Sequence, residues 1–182
     1  MVARSVSVSM KGTDMNTERA LRPILRRASP LGVSAGLDLA SLARVRVSSE
    51  QPLFPIDNVF DEQRGPGGSC WIAEQSGEQM LVLAFKEPTV VSRIVVESEQ
   101  QGGLKVQTID LAVSHTTPPQ FIELGTRSFS FRPYGPSFQT ESWELRPEAL
   151  TEIRLRIAPD TSTGRACLTS IVAYGPAGTT RG

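Results

Sequence analysis

Phe54-Pro55-Ile56-Asp57-Asn58-Val59-Phe60-Asp61 is followed, after a glycine-rich loop, by Cys70-Trp71 and then by two extended runs within Gln79–Val96. Within the second block, Leu81, Leu83 and Phe85 alternate with Met80, Val82 and Ala84, the two-residue period of a strand. Pro88 reads as a turn, after which Val90–Glu97 resumes with β-branched residues suited to a pleated surface.

The same period recurs outward in both directions. Leu42–Val47 alternates, and Glu152–Ala158 does so most clearly, with Ile153, Leu155 and Ile157 on one face and Arg154 and Arg156 on the other. Gln120–Arg127, Glu141–Arg146 (Trp143 and Leu145 inward) and Cys167–Tyr174 complete the series. Leu104–Ser114 changes phase, from Leu104 and Val106 to Ile109, Leu111 and Val113, which predicts a β-bulge near Gln107 or Thr108. The segment 128–139, with Pro133, Gly135 and Pro136, reads as a long loop. About nine short strands with no long helix after residue 40 predict an all-β fold, an antiparallel sandwich spanning 41–176 with a short tail at 177–182.

Residues 1–40 differ in character. The first 46 residues carry eight Lys or Arg against three Asp or Glu, although the whole chain of 182 residues balances 19 against 19. The sandwich is correspondingly acidic. This lead segment reads as a flexible or partly helical arm, with a helix over 17–28 that Pro23 weakens and a linker at about 29–40. Its Arg- and Ser-rich composition also suits an organellar transit peptide. No secretory pattern is present, and no apolar run approaches the roughly 20 residues of a membrane-spanning helix. An intracellular location is therefore expected, with Cys70 and Cys167 as free buried thiols. Balanced charge and the lack of a basic, aromatic-interleaved stripe exclude nucleic acid as the expected partner.

Catalysis finds little support. The single histidine, His115, falls in a hairpin loop with no partner for acid–base work. Gly65-Pro66-Gly67-Gly68 is not followed by the lysine and helix of a phosphate loop. Two cysteines and one histidine cannot make a four-ligand zinc site.

In this order the segments resemble the galactose-binding-like jelly rolls, which include discoidin and coagulation-factor C-type domains and many carbohydrate-binding modules. Pro55–Asp61 resembles that superfamily's turn "A-x-N-x-x-D-G", Ser69-Cys70-Trp71 its "T-x-W", and Gln79–Phe85 its "Q-W-L-x-V-D-L". Leu111–Ser114 with Gln120–Leu124, and Gly164–Ala166 leading into Leu168–Gly175, resemble the later strands. The Phe54–Phe60 stretch is most similar to intracellular members, such as the Doc subunit of the anaphase-promoting complex and a small intraflagellar-transport subunit. The resemblance implies a rigid platform that binds through loops at one end of the sandwich. These would be 61–69, 115–120, 132–139 and 159–165, with Arg64, His115, Arg132, Tyr134, Phe138 and Arg165 as contact residues. It also raises a structural calcium held by Asp57, Asp61 and Glu62. Here Glu62 replaces the motif glycine, and Ser170 stands where many members have a glutamate. The expectation is a non-enzymatic protein-interaction subunit of an intracellular assembly. Its alternative is a carbohydrate- or lipid-headgroup-binding module, possibly calcium-assisted.

Overall fold

A computed structural model describes residues 20–25, 36–99, 106–131 and 137–176. Among these are nine strands, all paired antiparallel: β1 (Arg22–Pro23), β2 (Ala43–Val47), β3 (Trp71–Ile72), β4 (Gln79–Glu99), β5 (Val106–Ser114), β6 (Phe121–Ser130), β7 (Phe138–Pro159), β8 (Cys167–Leu168) and β9 (Ser170–Tyr174). A one-turn helix α1 (Leu39–Leu42) precedes β2, and Ile56–Phe60 forms a 3-10 turn. No helix of the described residues is long and apolar enough to cross a membrane.

The architecture rests on one folded ribbon. In its first half, 79–84 of β4 pair with 152–157 of β7; in its second, 89–99 pair with 138–150. Between the halves the register breaks at Ala84/Thr89 and again at Val91/Arg93. The first half sits in a layer ordered β1-β2-β4-β7-β5-β6, and the second pairs with β9. The ribbon doubles back on itself: Ser98, near the end of β4, reaches Gln107 at the start of β5 in the other layer, Nε2 to Oγ 3.4 Å. The product is an antiparallel β-sandwich. Its centre is filled by the inward rows, among them Leu81, Leu83, Ile94, Ile109, Leu111, Ile153 and Leu155, each fully buried.

Several expectations change at this level. Pro88 does not end a strand, because β4 runs through it. Pro88 and Pro147 both occupy register interruptions, where a missing N–H costs no ladder bond. The bulge predicted near Gln107 or Thr108 is absent there, since β5 pairs with β7 without interruption from Gln107↔Pro159 to Ser114↔Glu152. The irregularity lies instead on β6, where Leu124 is the extra residue opposite Leu111/Ala112. The apolar phase slips because Gln107 itself occupies the inward position. It is fully buried, donates Nε2–H to the Cys167 carbonyl (2.8 Å) and accepts the Cys167 N–H on Oε1 (3.0 Å). The long loop read over 128–139 is shorter, because β6 continues to Ser130 and β7 starts at Phe138.

The arm also differs from its reading. Residues 20–25 are not helical. Arg22 and Pro23 pair with Val45 and Arg44 on the edge of β2, and Ile24 is buried. Residues 17–19 and 26–28 of the expected helix lie outside the described residues. The end of the expected linker packs: the Leu37 N–H donates to the Ala173 carbonyl (2.7 Å), and Leu39 is buried. Asp38 caps α1 by accepting the Ser41 N–H.

Candidate functional site

The turn at 56–61 buries three polar side chains, Asp57, Asn58 and Asp61. Glu50 Oε2 accepts the Ile56 N–H (2.9 Å) and so fixes the start of the 3-10 turn. Asn58 donates from Nδ2 to the Cys70 carbonyl (2.8 Å), tying the turn to the strand that carries Trp71. The Trp71 indole is fully buried and donates to the Ser49 carbonyl (3.1 Å). Asp61 is 2% exposed. It accepts the Ser69 hydroxyl on both oxygens (2.7 Å each) and the Gln63 N–H on Oδ1 (3.1 Å), the closed Asx turn that caps the corner.

These contacts bear on the calcium that the resemblance raised. Ca²⁺ takes six to eight oxygen ligands, carboxylates prominent among them. Asp57 gives Oδ2 to Arg22 Nη1 (2.8 Å) and Oδ1 to the Leu25 N–H (2.7 Å), while Asp61 serves Ser69 and Gln63. Asn58 Oδ1 is buried with no hydrogen-bond partner among the described residues, but it is one neutral oxygen. No three His, Cys, Asp or Glu side chains among the described residues converge to hold a metal. The Asp57, Asp61 and Glu62 carboxylates form no three-carboxylate cluster among the described residues.

Glu62 belongs to a different feature. It lines a shallow cleft between α1, the 3-10 turn and β9. The apolar lining includes Leu39, Val59, Phe60, Ile171 and Val172, and the polar groups are Asp38, Glu62 and Arg64. Each of these three charged residues also makes a polar or electrostatic contact within the protein. Glu62 has φ 66°, the only positive φ of a non-glycine residue among the described residues. The left-handed conformation costs an ordinary L-residue about 1–2 kcal/mol, and glycine adopts it freely. The chain therefore carries a residue in strained backbone conformation at the cleft, where the resembling motif has glycine. Sequence reading singled out Glu62 and Arg64 separately. It missed Asp38, whose segment it took for linker.

The remaining candidates among the described residues do not gather at one end. The 159–165 loop lies beside the start of β5, where the Asp160 N–H meets the Val106 carbonyl, whereas 115–120 follows the far end of that strand. Nine residues of extended chain span roughly 27–30 Å. His115 sits at that far end, its Nδ1 3.1 Å from the Ala149 carbonyl and its Nε2 3.7 Å from Glu148. Phe138 is half-buried and pairs with Glu99, whose carboxylate accepts the Gly67 N–H (2.9 Å). That places the Gly65–Gly68 loop beside the end of β4. Arg165 is exposed. Arg132 and Tyr134 lie outside the described residues. Cys70 and Cys167 are buried and form no disulfide, and burial, with the Glu99 charge nearby, pushes the Cys70 thiol up.

No protein-family model matches this sequence, and no curated protein matches it. Solved structures do. A family 32 carbohydrate-binding module from a family 31 glycoside hydrolase of Clostridium perfringens superposes with a TM-score of 0.58 at 14% identity, covering 78% of this chain and 95% of its own. The family 32 module of C. perfringens NanJ, solved in complex with galactose, gives 0.55 at 12% identity over 76% and 96% of the two chains. A chitosan-binding module from a chitosanase/glucanase of Paenibacillus sp. IK-5 gives 0.53 at 16% identity over 76% and 99%. At these identities the likeness shows the fold alone, the β-sandwich that these carbohydrate-binding modules share.

Proposed function

We propose that this chain is a non-catalytic carbohydrate-binding module whose cleft at Glu62 and Arg64 receives a sugar. The carrying observation is the pairing of an apolar floor with a carboxylate–guanidinium–carboxylate rim on this fold. A pyranose presents the complementary surface. Its hydroxyls would exchange hydrogen bonds with the side chains of Asp38, Glu62 and Arg64 at the rim, above the buried Val59, Phe60 and Ile171. Solved modules of the same fold, one of them in complex with galactose, support this reading. The adaptor role expected from the sequence has less behind it, because the described arm residues pack back onto the sandwich.

The test uses the strain at Glu62. Calorimetric titration with galactose, N-acetylgalactosamine and chitosan oligomers, run in parallel with thermal melting, should give saturable binding for at least one sugar. Glu62→Gly should melt at or above the wild-type temperature, gaining about 1 kcal/mol as the left-handed strain is relieved. It should nevertheless lose affinity at least tenfold. No sugar response in the wild type, or a Glu62→Gly protein that binds as well as wild type, rejects the cleft as the site.

A further inference from the structure

The sugar reading leaves unused the way residues 20–25 are held. Four contacts of different chemistry converge on this short segment. Its backbone adds a two-residue strand to the edge of β2. The Arg22 guanidinium forks between Asp57 Oδ2 (2.8 Å) and Glu50 Oε2 (3.2 Å). Ile24 is 5% exposed and joins the hydrophobic core. The Leu25 N–H donates to Asp57 Oδ1 (2.7 Å). Pro23 has no N–H to offer and suits an edge position. Asp57, 6% exposed, therefore reads both a side chain and a backbone amide of the same segment.

This is how proteins recognise linear peptides: strand addition at a sheet edge supplies affinity, and a charged fork with an apolar socket supplies specificity. We propose that the β2 edge, Asp57, Glu50 and the Ile24 socket form a linear-peptide site, and that the chain's own Arg22–Leu25 occupies it as a ligand in cis. The partner chemistry is an extended arginine–proline–aliphatic segment, with the arginine as anchor. Glu50 is held independently of the segment, because its Oε2 also accepts the Ile56 N–H (2.9 Å) of the turn. A segment held this way is exchangeable: any extended chain of the same chemistry competes with it. A protein that binds no sugar would still show this behaviour.

The test uses the full chain and a fluorescent synthetic peptide of residues 17–28, followed by anisotropy. In the wild type the tethered segment competes, and the peptide should bind weakly. Arg22→Met cuts the anchor of the tethered copy, and this variant should bind the wild-type peptide at least tenfold more tightly. Asp57→Asn should bind it poorly in either background, and a peptide carrying Arg22→Met should bind none of the proteins. A cooperatively melting Arg22→Met protein that fails to bind the peptide overturns the proposal. Should Arg22→Met not fold, amide exchange on the wild type decides. The Leu25 amide should be protected, and its protection should fall as unlabelled peptide is added in excess. Exchange at the rate of an unstructured chain, or protection indifferent to the peptide, overturns the proposal equally.

Discussion

At the 56–61 turn, Asp57 and Asp61 are 6% and 2% exposed; on the outward face of the β2-β4-β7-β5-β6 layer, Asp110, Glu123 and Glu152 stand among arginines and water. The turn carboxylates are held by a fork from the arm, by backbone amides and by one serine hydroxyl. Those of the sheet lie in cross-strand rows. One row runs Arg46-Val82-Arg154-Ala112-Glu123, with Arg154 donating to Glu123 (2.7 Å) and stacking 4.1 Å over Phe121. Another runs Met80-Arg156-Asp110-Thr126, where the Thr126 hydroxyl and then the Arg156 guanidinium hold the Asp110 carboxyl below its usual range. The same residue types thus face different penalties. A buried carboxylate that loses a donor pays desolvation in full, whereas an exposed one recovers most of the loss from water. Asp61, 2% exposed, is shielded from the solvent that screens the sheet carboxylates, which explains why the turn should dominate stability.

Three substitutions grade this contrast. Trp71→Ala, behind the turn, removes a fully buried indole and its bond to Ser49, and should cost roughly 3–5 kcal/mol in urea unfolding. A cost below about 1 kcal/mol would mean that the turn does not pack on it as described. Ser69→Ala leaves Asp61 with the Gln63 N–H alone and should cost about 1–3 kcal/mol in the same assay. An unchanged midpoint would place Asp61 with the surface carboxylates.

The smallest effect is expected on the sheet, at Glu152. Burial raises its pKa, and Arg46 partly offsets the rise. The folded state therefore holds this proton more tightly than the unfolded state does, and stability falls as pH climbs through the raised folded pKa. Asp110 runs the other way: its lowered pKa adds stability above the unfolded value near 3.9, and that stability is lost as pH falls through the folded pKa. Glu152→Gln should raise stability at pH 7 by less than about 1 kcal/mol, the exposure of the site screening the effect. The gain should vanish once pH falls below about 4, where glutamate is protonated in both states. Melting midpoints collected from pH 3 to pH 8 check the sign. A loss of stability at pH 7 would mean that Arg46 outweighs the burial.

Strand by strand, legibility followed local pattern. Ile153, Leu155 and Ile157 were read inward from alternation alone, and all three are fully buried. The phase slip in β5 was read as a bulge because a glutamine was not expected in an inward row. Its amide is satisfied by Cys167, 60 residues away, which no local window contains. Pro88 was read as a turn between two strands; the strand runs through it, and the ladder breaks there because the ribbon folds over. Residues 20–25 carried a helix-like spacing, yet twelve residues with an internal proline gain too little from helix formation to resist an edge strand and two carboxylates. The candidate cleft was legible only in halves. Glu62 and Arg64 stood out as charges after the turn, while Asp38 and Leu39 belong to a segment that has no pattern of its own.

Apolar residues recurring at every second position required extended chains with one wet and one dry face, and such faces can be buried only by stacking; the amino-acid order alone carried that much. Which polar side chains go inside, where the long ribbon bends, and what the arm touches were settled by partners tens of residues distant. A hydrogen bond or a fork between carboxylates depends on three-dimensional proximity, and proximity exists only once the layers have closed.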